Sequence, residues 1–180
     1  MVTGFNHSGF VVQNIDKMVA FYRDDLGLRV EREVDSKAPE TGDHTGIPGA
    51  HRTLVFVGSD GEHSLELVHY IHPGSPEGHL NRNQLGAAHV CFNVDDLEKL
   101  HKDLVAKGIT FVTDPIFTDN PDGSRRGICY CQDPEGNWLE FIQPKSKSAD
   151  FVNLNTMPNG FNHIQQIILV NNNRNRSPKK

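Results

Sequence analysis

Residues 7–30, HSGFVVQNIDKMVAFYRDDLGLRV, return in altered form at residues 89–112, HVCFNVDDLEKLHKDLVAKGITFV. Each segment opens with a His in an apolar strand, continues with apolar residues at helical spacing, and reaches a Gly where the helix should end. A short strand is expected after each helix, over residues 28–34 and 109–113. Two further strands are expected in each copy, over 52–57 and 64–71 and over 127–131 and 137–143. The repeating unit is therefore βαβββ, used twice.

The starts of the two helices are predicted from their capping residues. Asn14 has the side chain of an N-cap, and Asp95 with Glu98 forms a capping-box pattern. Gly27 and Gly108 stand just past the last apolar position of each helix, where a left-handed residue commonly ends a helix.

The predicted fold is of the α+β class, with two βαβββ modules whose sheets curve around a cleft. Module one covers residues 4–72 and module two covers 86–144, and together they make one domain over 4–145. Residues 36–50 are rich in Gly and Pro, and we expect this long loop to border the cleft and to move or order when substrate binds; residues 118–126 occupy the equivalent place in module two. Residues 146–180 are increasingly polar and are expected to form a partly disordered extension.

Composition excludes several classes of partner. The chain has 180 residues and a formal net charge of −5, which gives no electrostatic basis for binding nucleic acid or an anionic membrane. No apolar run approaches the ~20 residues of a membrane span, and the N-terminus lacks the pattern of a signal peptide. Three cysteines form no disulfide framework, so we expect a reducing, cytoplasmic location.

The last strand of each unit carries a carboxylate between apolar residues: Glu66 in HSLELV (63–68) and Glu140 in WLEFI (138–142). A buried carboxylate costs several kcal/mol unless it is paired, protonated or bound to a metal. Strand alternation places His7 and His89 on the mixed faces of their strands, opposite the apolar faces. Two modules related by approximate symmetry would bring two His and two Glu into one cleft, a donor set that suits a divalent transition metal with open positions.

Taken singly, each of these residues has a simpler interpretation. A His in a strand is usually a hydrogen-bonded core residue, and a Glu there usually faces solvent; only the repetition favours a metal site.

Other residues are candidates for contact with the substrate. His44 lies in the 36–50 loop and His51 directly follows it, and Arg125 and Arg126 beside a cleft would clamp a carboxylate or phosphate.

The chain resembles the vicinal oxygen chelate superfamily, which includes glyoxalase I, methylmalonyl-CoA epimerase, extradiol dioxygenases and the fosfomycin- and bleomycin-resistance proteins. The resemblance covers residues 4–144 and is carried by FNHSGFVVQNIDKMVAFYRDDLGL, HSLELVHY, AAHVCFNVDDLEKL and DPEGNWLEFIQ. It implies the glyoxalase/bleomycin resistance/dihydroxybiphenyl dioxygenase fold, a small-molecule substrate, and a homodimer with or without exchange of modules between chains.

The resemblance also implies a metal set of His7, Glu66, His89 and Glu140, holding a divalent Ni, Co, Zn, Mn or Fe ion. The shared chemistry of the glyoxalase and epimerase branches is proton abstraction next to a carbonyl. Glu140 or Glu66 would be the base, with Glu140 preferred by a small margin. The predicted function is therefore a metal-dependent lyase or isomerase.

Departures from the family patterns keep alternatives open. The glutathione-binding Arg of glyoxalase I is replaced by Val11, and its Asn by Tyr70, which is a further substrate-contact candidate. The stretch LELVHYIHPGSPEGHLNRNQLGAAHV (65–90) is similar to the epimerases. An iron(II) dioxygenase would keep His7, His89 and Glu140 but also needs a His in the region where residues 122–124 read Asp-Gly-Ser. A resistance protein that sequesters a small molecule is the remaining alternative.

Overall fold

The chain builds the same βαβββ unit twice. In the computed structural model, which describes residues 1–147 except 60, 62 and 77, the first unit consists of β1 (His7–Val12), α1 (Ile15–Ala20) with a π-helical turn (Phe21–Asp25), β2 (Arg29–Lys37), β3 (His51–Gly58) and β4 (Ser64–His72). The second consists of β5 (His89–Asn93), α2 (Leu97–Ala106), β6 (Ile116–Asp119), β7 (Ser124–Gln132) and β8 (Trp138–Lys147). The predicted architecture of eight strands with two main helices is confirmed.

The two sheets have the same topology. Their strand orders are β1-β4-β3-β2 and β5-β8-β7-β6, so the first strand of each unit lies at an edge and pairs with the last. That pairing is parallel, and the remaining pairings in each sheet are antiparallel. The sequence repeat is therefore also a repeat of the hydrogen-bonding pattern.

One predicted strand is misplaced. Residues 109–113 form no strand, and Phe111 makes only an isolated bridge to Cys131. The strand lies at Ile116–Asp119 instead, because a tight turn over residues 120–123 folds it back onto β7. In that turn the Gly123 backbone N–H donates to the Asn120 carbonyl (3.0 Å), and Gly123 has a φ of 77°. The connection between β6 and β7 is therefore shorter than the loop predicted over 118–126.

The helix ends follow the capping logic with one shift. The Asn14 side chain accepts from the Lys17 backbone N–H at 3.0 Å, as predicted. The N-cap of α2 is Asp96 rather than Asp95: its carboxylate accepts from the Lys99 N–H at 2.9 Å, while Asp95 accepts from the Asp96 N–H. The shift follows from position, since only the residue directly before the first helical turn can reach the N3 amide.

The apolar faces of both sheets contribute to one core. Met18 and Tyr22 on the first helical segment and Leu97 and Leu104 on α2 are fully buried in it. The buried cysteines of β7 also belong to it, and burial raises the pKa of the Cys131 thiol to about 12. The cysteines of this core are therefore small apolar packing residues without thiolate character.

The two modules are joined by polar contacts as well as by the core. The Tyr22 hydroxyl donates to the Asp133 carboxylate at 2.8 Å, in a buried position. The Glu135 carboxylate accepts from the backbone N–H groups of Gln13 (2.7 Å) and Asn14 (2.8 Å) at the start of α1. Because each contact joins the first helix to the turn between β7 and β8, this turn fixes one module against the other.

The predicted 36–50 loop begins later than expected, because β2 runs through Lys37. The loop is closed by a hydrogen bond from the Ala38 N–H to the Ala50 carbonyl (2.7 Å) and anchored by an ion pair between Asp43 and the buried Arg52. Hydrogen bonds from Thr45, together with Arg52, lower the pKa of Asp43 to about 2. Arg52 lies on the same sheet face as Glu66, so the loop is tied to that face; its movement on substrate binding stays a prediction.

The end of the described chain differs slightly from the predicted boundary. Strand β8 continues to Lys147, two residues past the expected domain end at 145. The rest of the predicted C-terminal extension lies outside the described residues. Within the described ranges, no helix has the length and apolar character needed to cross a membrane.

The buried hydrogen bond between the modules predicts a stability effect. Tyr22→Phe removes the hydroxyl and leaves Asp133 without one of its buried donors, so we expect the free energy of unfolding to fall by about 1–3 kcal/mol. The matched control is Tyr70→Phe, on the partly exposed strand β4, with an expected change within about 0.5 kcal/mol. Chemical denaturation measures both; equal stability of Tyr22→Phe and the unmodified protein would contradict the role of this bond.

Candidate metal centre

The first His–Glu pair lies on adjacent parallel strands of the first sheet. His7 on β1 is opposite Ser64, and Glu66 on β4 is opposite Gly9, so the two side chains project from the same face. Nε2 of His7 lies 3.3 Å from the Glu66 carboxylate, and its Nδ1 donates to the side-chain oxygen of Asn6 at 2.7 Å. The Asn6 contact requires the ring proton on Nδ1. The lone pair of Nε2, next to Glu66, is therefore available to bind a metal.

The second pair repeats this arrangement in the second sheet. His89 on β5 is opposite Trp138, and Glu140 on β8 is opposite Cys91, with 3.1 Å between His89 Nε2 and the Glu140 carboxylate. Glu140 is 9% exposed. The His on the edge strand and the Glu on the neighbouring strand thus have the same register in both sheets.

Glu140 has two further neighbours. Tyr130 is opposite it on β7, and the Tyr130 hydroxyl lies 3.5 Å from His89 Nε2. Burial and the neighbouring Glu140 carboxylate raise the pKa of Tyr130 to about 12, so the hydroxyl stays protonated. Burial and the charge of Glu140 likewise raise the pKa of the Cys91 thiol to about 11. Glu140 therefore has a neutral phenol and a neutral thiol as neighbours.

The two pairs are separate within one chain. Among residues 1–147, leaving out 60, 62 and 77, no three His, Cys, Asp or Glu side chains are grouped so that they could hold a metal ion. Both pairs lie on the sheet faces opposite those that form the common core. The core residues Leu65 and Leu67 are the sequence neighbours of Glu66 and point to the other face of the sheet. Leu139 and Phe141 have the same relation to Glu140. Each pair supplies one imidazole nitrogen and one carboxylate, which is half of the predicted ligand set.

The structure separates the predicted substrate-contact residues. Tyr70 shares the face of Glu66, and Arg126 is close enough to Cys91 for its charge to act on the thiol beside Glu140. His44 is exposed in the loop next to Asp43. The other two candidates have carboxylate partners: His51 with Asp35 at 2.6 Å, and Arg125 with Glu98 at 3.0 Å.

Sequence reasoning missed the aromatic residue that accompanies each pair. Phe56 on β3 is opposite Glu66 and meets the His7 ring edge-on at 5.6 Å between centroids, and Tyr130 does the same for His89 at 5.4 Å. The repeat contained this signal, because both residues lie on the third strand of their module, opposite the Glu. It also missed Arg82, whose position in the connection between the modules has no counterpart in the repeat.

The chain is similar to two named enzymes over most of its length. It is 26% identical over 169 residues to lactoylglutathione lyase of Schizosaccharomyces pombe, covering 81% of this chain and 51% of the relative. It is 34% identical over 111 residues to mitochondrial methylmalonyl-CoA epimerase of Mus musculus, covering 61% and 56%. The chain thus spans about half the length of these two relatives.

A solved structure supports the fold. The glyoxalase family protein APC24694 from Bacillus cereus superposes with a TM-score of 0.69 at 21% identity, covering 79% of this chain and 95% of the other. The model of the Glyoxalase/Bleomycin resistance protein/Dioxygenase superfamily matches residues 4–141. With its two βαβββ modules and this match over most of its length, the chain belongs to that superfamily.

Proposed function

We propose that the chain is a divalent-metal-dependent lyase or isomerase that removes a proton next to a carbonyl of a small molecule, in the manner of a glyoxalase I or a methylmalonyl-CoA epimerase. The observation that carries this proposal is the equal register of the two His–Glu pairs. A single pair is an ordinary feature of a sheet. Two pairs at equivalent positions of a repeated fold are the arrangement expected of one ligand set divided between two modules.

The donor atoms fit a divalent transition metal. Two ligands bonded to one ion at ~2.1 Å with tetrahedral or octahedral angles lie about 3.0–3.4 Å apart, and the His–Glu separations in the two pairs are 3.3 and 3.1 Å. Imidazole nitrogen and carboxylate oxygen are donors for Ni, Co, Zn, Mn and Fe(II) alike. His7, Glu66, His89 and Glu140 would hold the ion, which when bound supplies a positive charge that stabilises negative charge developing on substrate oxygens.

A complete site requires two pairs to meet. Because the pairs of one chain lie on faces turned away from their shared core, we propose a homodimer in which each site takes the His7–Glu66 pair from one chain and the His89–Glu140 pair from the other. The sheets leave the backbone edges of β1 and β5 available for pairing. A two-fold axis would then create two identical sites per dimer.

The two carboxylates differ in their suitability as the base. Glu140 is the more enclosed, with a side chain 12% exposed against 17% for Glu66. His89 Nε2 lies 3.1 Å from this carboxylate, and Tyr130 is opposite Glu140 on β7. A base that is held in place and sheltered from water can take a proton from substrate without exchanging it with solvent. We therefore assign proton transfer to Glu140 and a supporting ligand role to Glu66.

Glu140→Gln tests this assignment. We expect purified unmodified protein to contain about one metal ion per chain, as two sites per dimer require. The variant should bind metal more weakly, because an anionic donor becomes neutral. Even when loaded with metal it should lose turnover by about a hundredfold or more, because an amide cannot accept the proton. Elemental analysis and assays with the hemithioacetal of glutathione and with 2-methyl-branched acyl-CoA measure both effects.

Glu66→Gln is the matched control for Glu140→Gln. It removes the same charge from the equivalent position of the other sheet and should retain part of its turnover once metal is restored. Near-normal turnover of metal-loaded Glu140→Gln would refute the base assignment. Metal-free protein that cannot be loaded would refute the metal-dependent function and favour a sequestering protein.

Mixing two defective chains tests the shared site. His7→Ala and His89→Ala should each bind little metal alone. Co-expressed, they form about one-half mixed dimers, and each mixed dimer contains one site with both pairs intact, so about a quarter of the normal metal content should return. Sites built within one chain predict no recovery, and a sedimentation mass of a single chain at micromolar concentration would exclude the dimer itself.

A further inference from the structure

Beside the second His–Glu pair, the connection between the modules forms one wall of a small cavity. Its volume is about 280 Å³, and its lining consists of Arg82, Ala87, Ala88, His89, Tyr130 and Trp138. His89 is one of the proposed metal ligands. A substrate bound to that metal would therefore extend its neighbouring groups into the cavity. The chemistry of the lining therefore bears on which substrates fit.

Arg82 is the only Arg or Lys among the described residues of that lining. Its guanidinium lies over two aromatic rings, 5.3 Å from the centroid of Tyr130 and 5.1 Å from that of Trp138. In the described part of the chain it forms no ion pair with a carboxylate, whereas Arg23, Arg52 and Arg125 each do. A ring face attracts the charge of a guanidinium without accepting its N–H groups in ordinary hydrogen bonds, so its donors remain available.

The backbone around Arg82 is fixed rather than loose. The Trp138 indole N–H donates to the Leu80 carbonyl at 2.9 Å. Residues 81–84 form a turn, in which the Gln84 N–H donates to the Asn81 carbonyl at 2.9 Å and the Gln84 side chain accepts from the Asn81 N–H. Arg82 thus projects from a closed turn that is tied to the same Trp over which its guanidinium lies.

We propose that Arg82 binds an oxyanion of the substrate, a carboxylate or a phosphate, in this cavity. The inference rests on the proposed function, since it places the reacting part of that substrate at the metal beside His89. A guanidinium held beside aromatic rings keeps its N–H groups available to a planar or tetrahedral oxyanion, and Arg is the residue suited to such two-point recognition. The cavity then selects substrates that carry a negative charge at a fixed distance from the reacting carbonyl.

The single tryptophan of the chain makes this site directly observable. Trp138 lines the cavity, so its fluorescence should change in a saturable way when an oxyanion binds next to Arg82. Two probes separate the sources of the anion: S-methylglutathione carries carboxylates and no phosphate, and coenzyme A carries phosphates and no carboxylate. We expect a saturable change with one or both, weakened by added salt.

Substitution of Arg82 identifies the binding residue. Arg82→Gln should weaken binding of the responsive probe by at least about tenfold, the loss expected for a charge-assisted hydrogen bond, and Arg82→Lys should recover part of it. Arg23→Gln is the matched control, because it removes the same charge from an exposed arginine that pairs with Asp24; its affinity should equal that of the unmodified protein.

The outcomes separate this proposal from the proposed function. A saturable change lost in Arg82→Gln supports the oxyanion site, whichever metal the protein carries. Equal affinity in Arg82→Gln and unmodified protein, or no saturable change with either probe, overturns it. Neither result depends on turnover, and the metal content of Arg82→Gln should match that of the unmodified protein, so failure of the metal centre would be seen separately by elemental analysis.

Discussion

The carboxylate of Asp133 is the constraint on which the rest of this molecule depends. It accepts hydrogen bonds from the backbone N–H groups of Glu135 and Asn137, from the Asn137 side chain and from the Tyr22 hydroxyl, all at 2.8–2.9 Å. The first three close the turn between β7 and β8, and the fourth joins that turn to the first helix. Glu140 follows a few residues later on β8. Because the turn fixes where this strand begins, the same carboxylate also sets the sheet face from which Glu140 projects.

Among the residues that the structure describes, neither module groups three metal-donor side chains by itself. Each sheet carries one imidazole and one carboxylate at the same register, and the cores behind them merge into one. Two donors are too few for a catalytic transition metal, which usually has three or more protein ligands. In the proposed metal centre, duplication of the unit would supply two half-sites, and dimerisation would bring one of each kind together.

The two His–Glu pairs are alike in their donor atoms and unlike in their surroundings. Around the first pair stand Phe56, with the Arg32 guanidinium 4.0 Å from its ring centroid, and a loop anchored through Arg52. Around the second stand Tyr130 and Trp138, beneath the connection between the modules. Ligand type and register are what a shared reaction requires, whereas the unequal walls are where discrimination between substrates can arise.

Much of this was readable in the sequence, since periodicity and repetition are local properties. The βαβββ repeat, the faces of His7, Glu66, His89 and Glu140, and the Asn14 cap all follow from alternation and capping chemistry. The β6 strand was misplaced because strand 116–119 is defined by its pairing with β7, a contact that no local pattern encodes. The loop 36–50 was shortened for the same reason, by pairing along β2.

Only the tertiary structure decided how the four candidate ligands are distributed. The sequence determined that two His and two Glu would project from equivalent places, because side-chain direction in a strand depends on position alone. It could not determine that the pairs lie on outward faces of a shared core, because that depends on how two modules pack. The position of Arg82 over Tyr130 and Trp138 was decided in the same way, since it joins residues about fifty positions apart that only folding brings into contact.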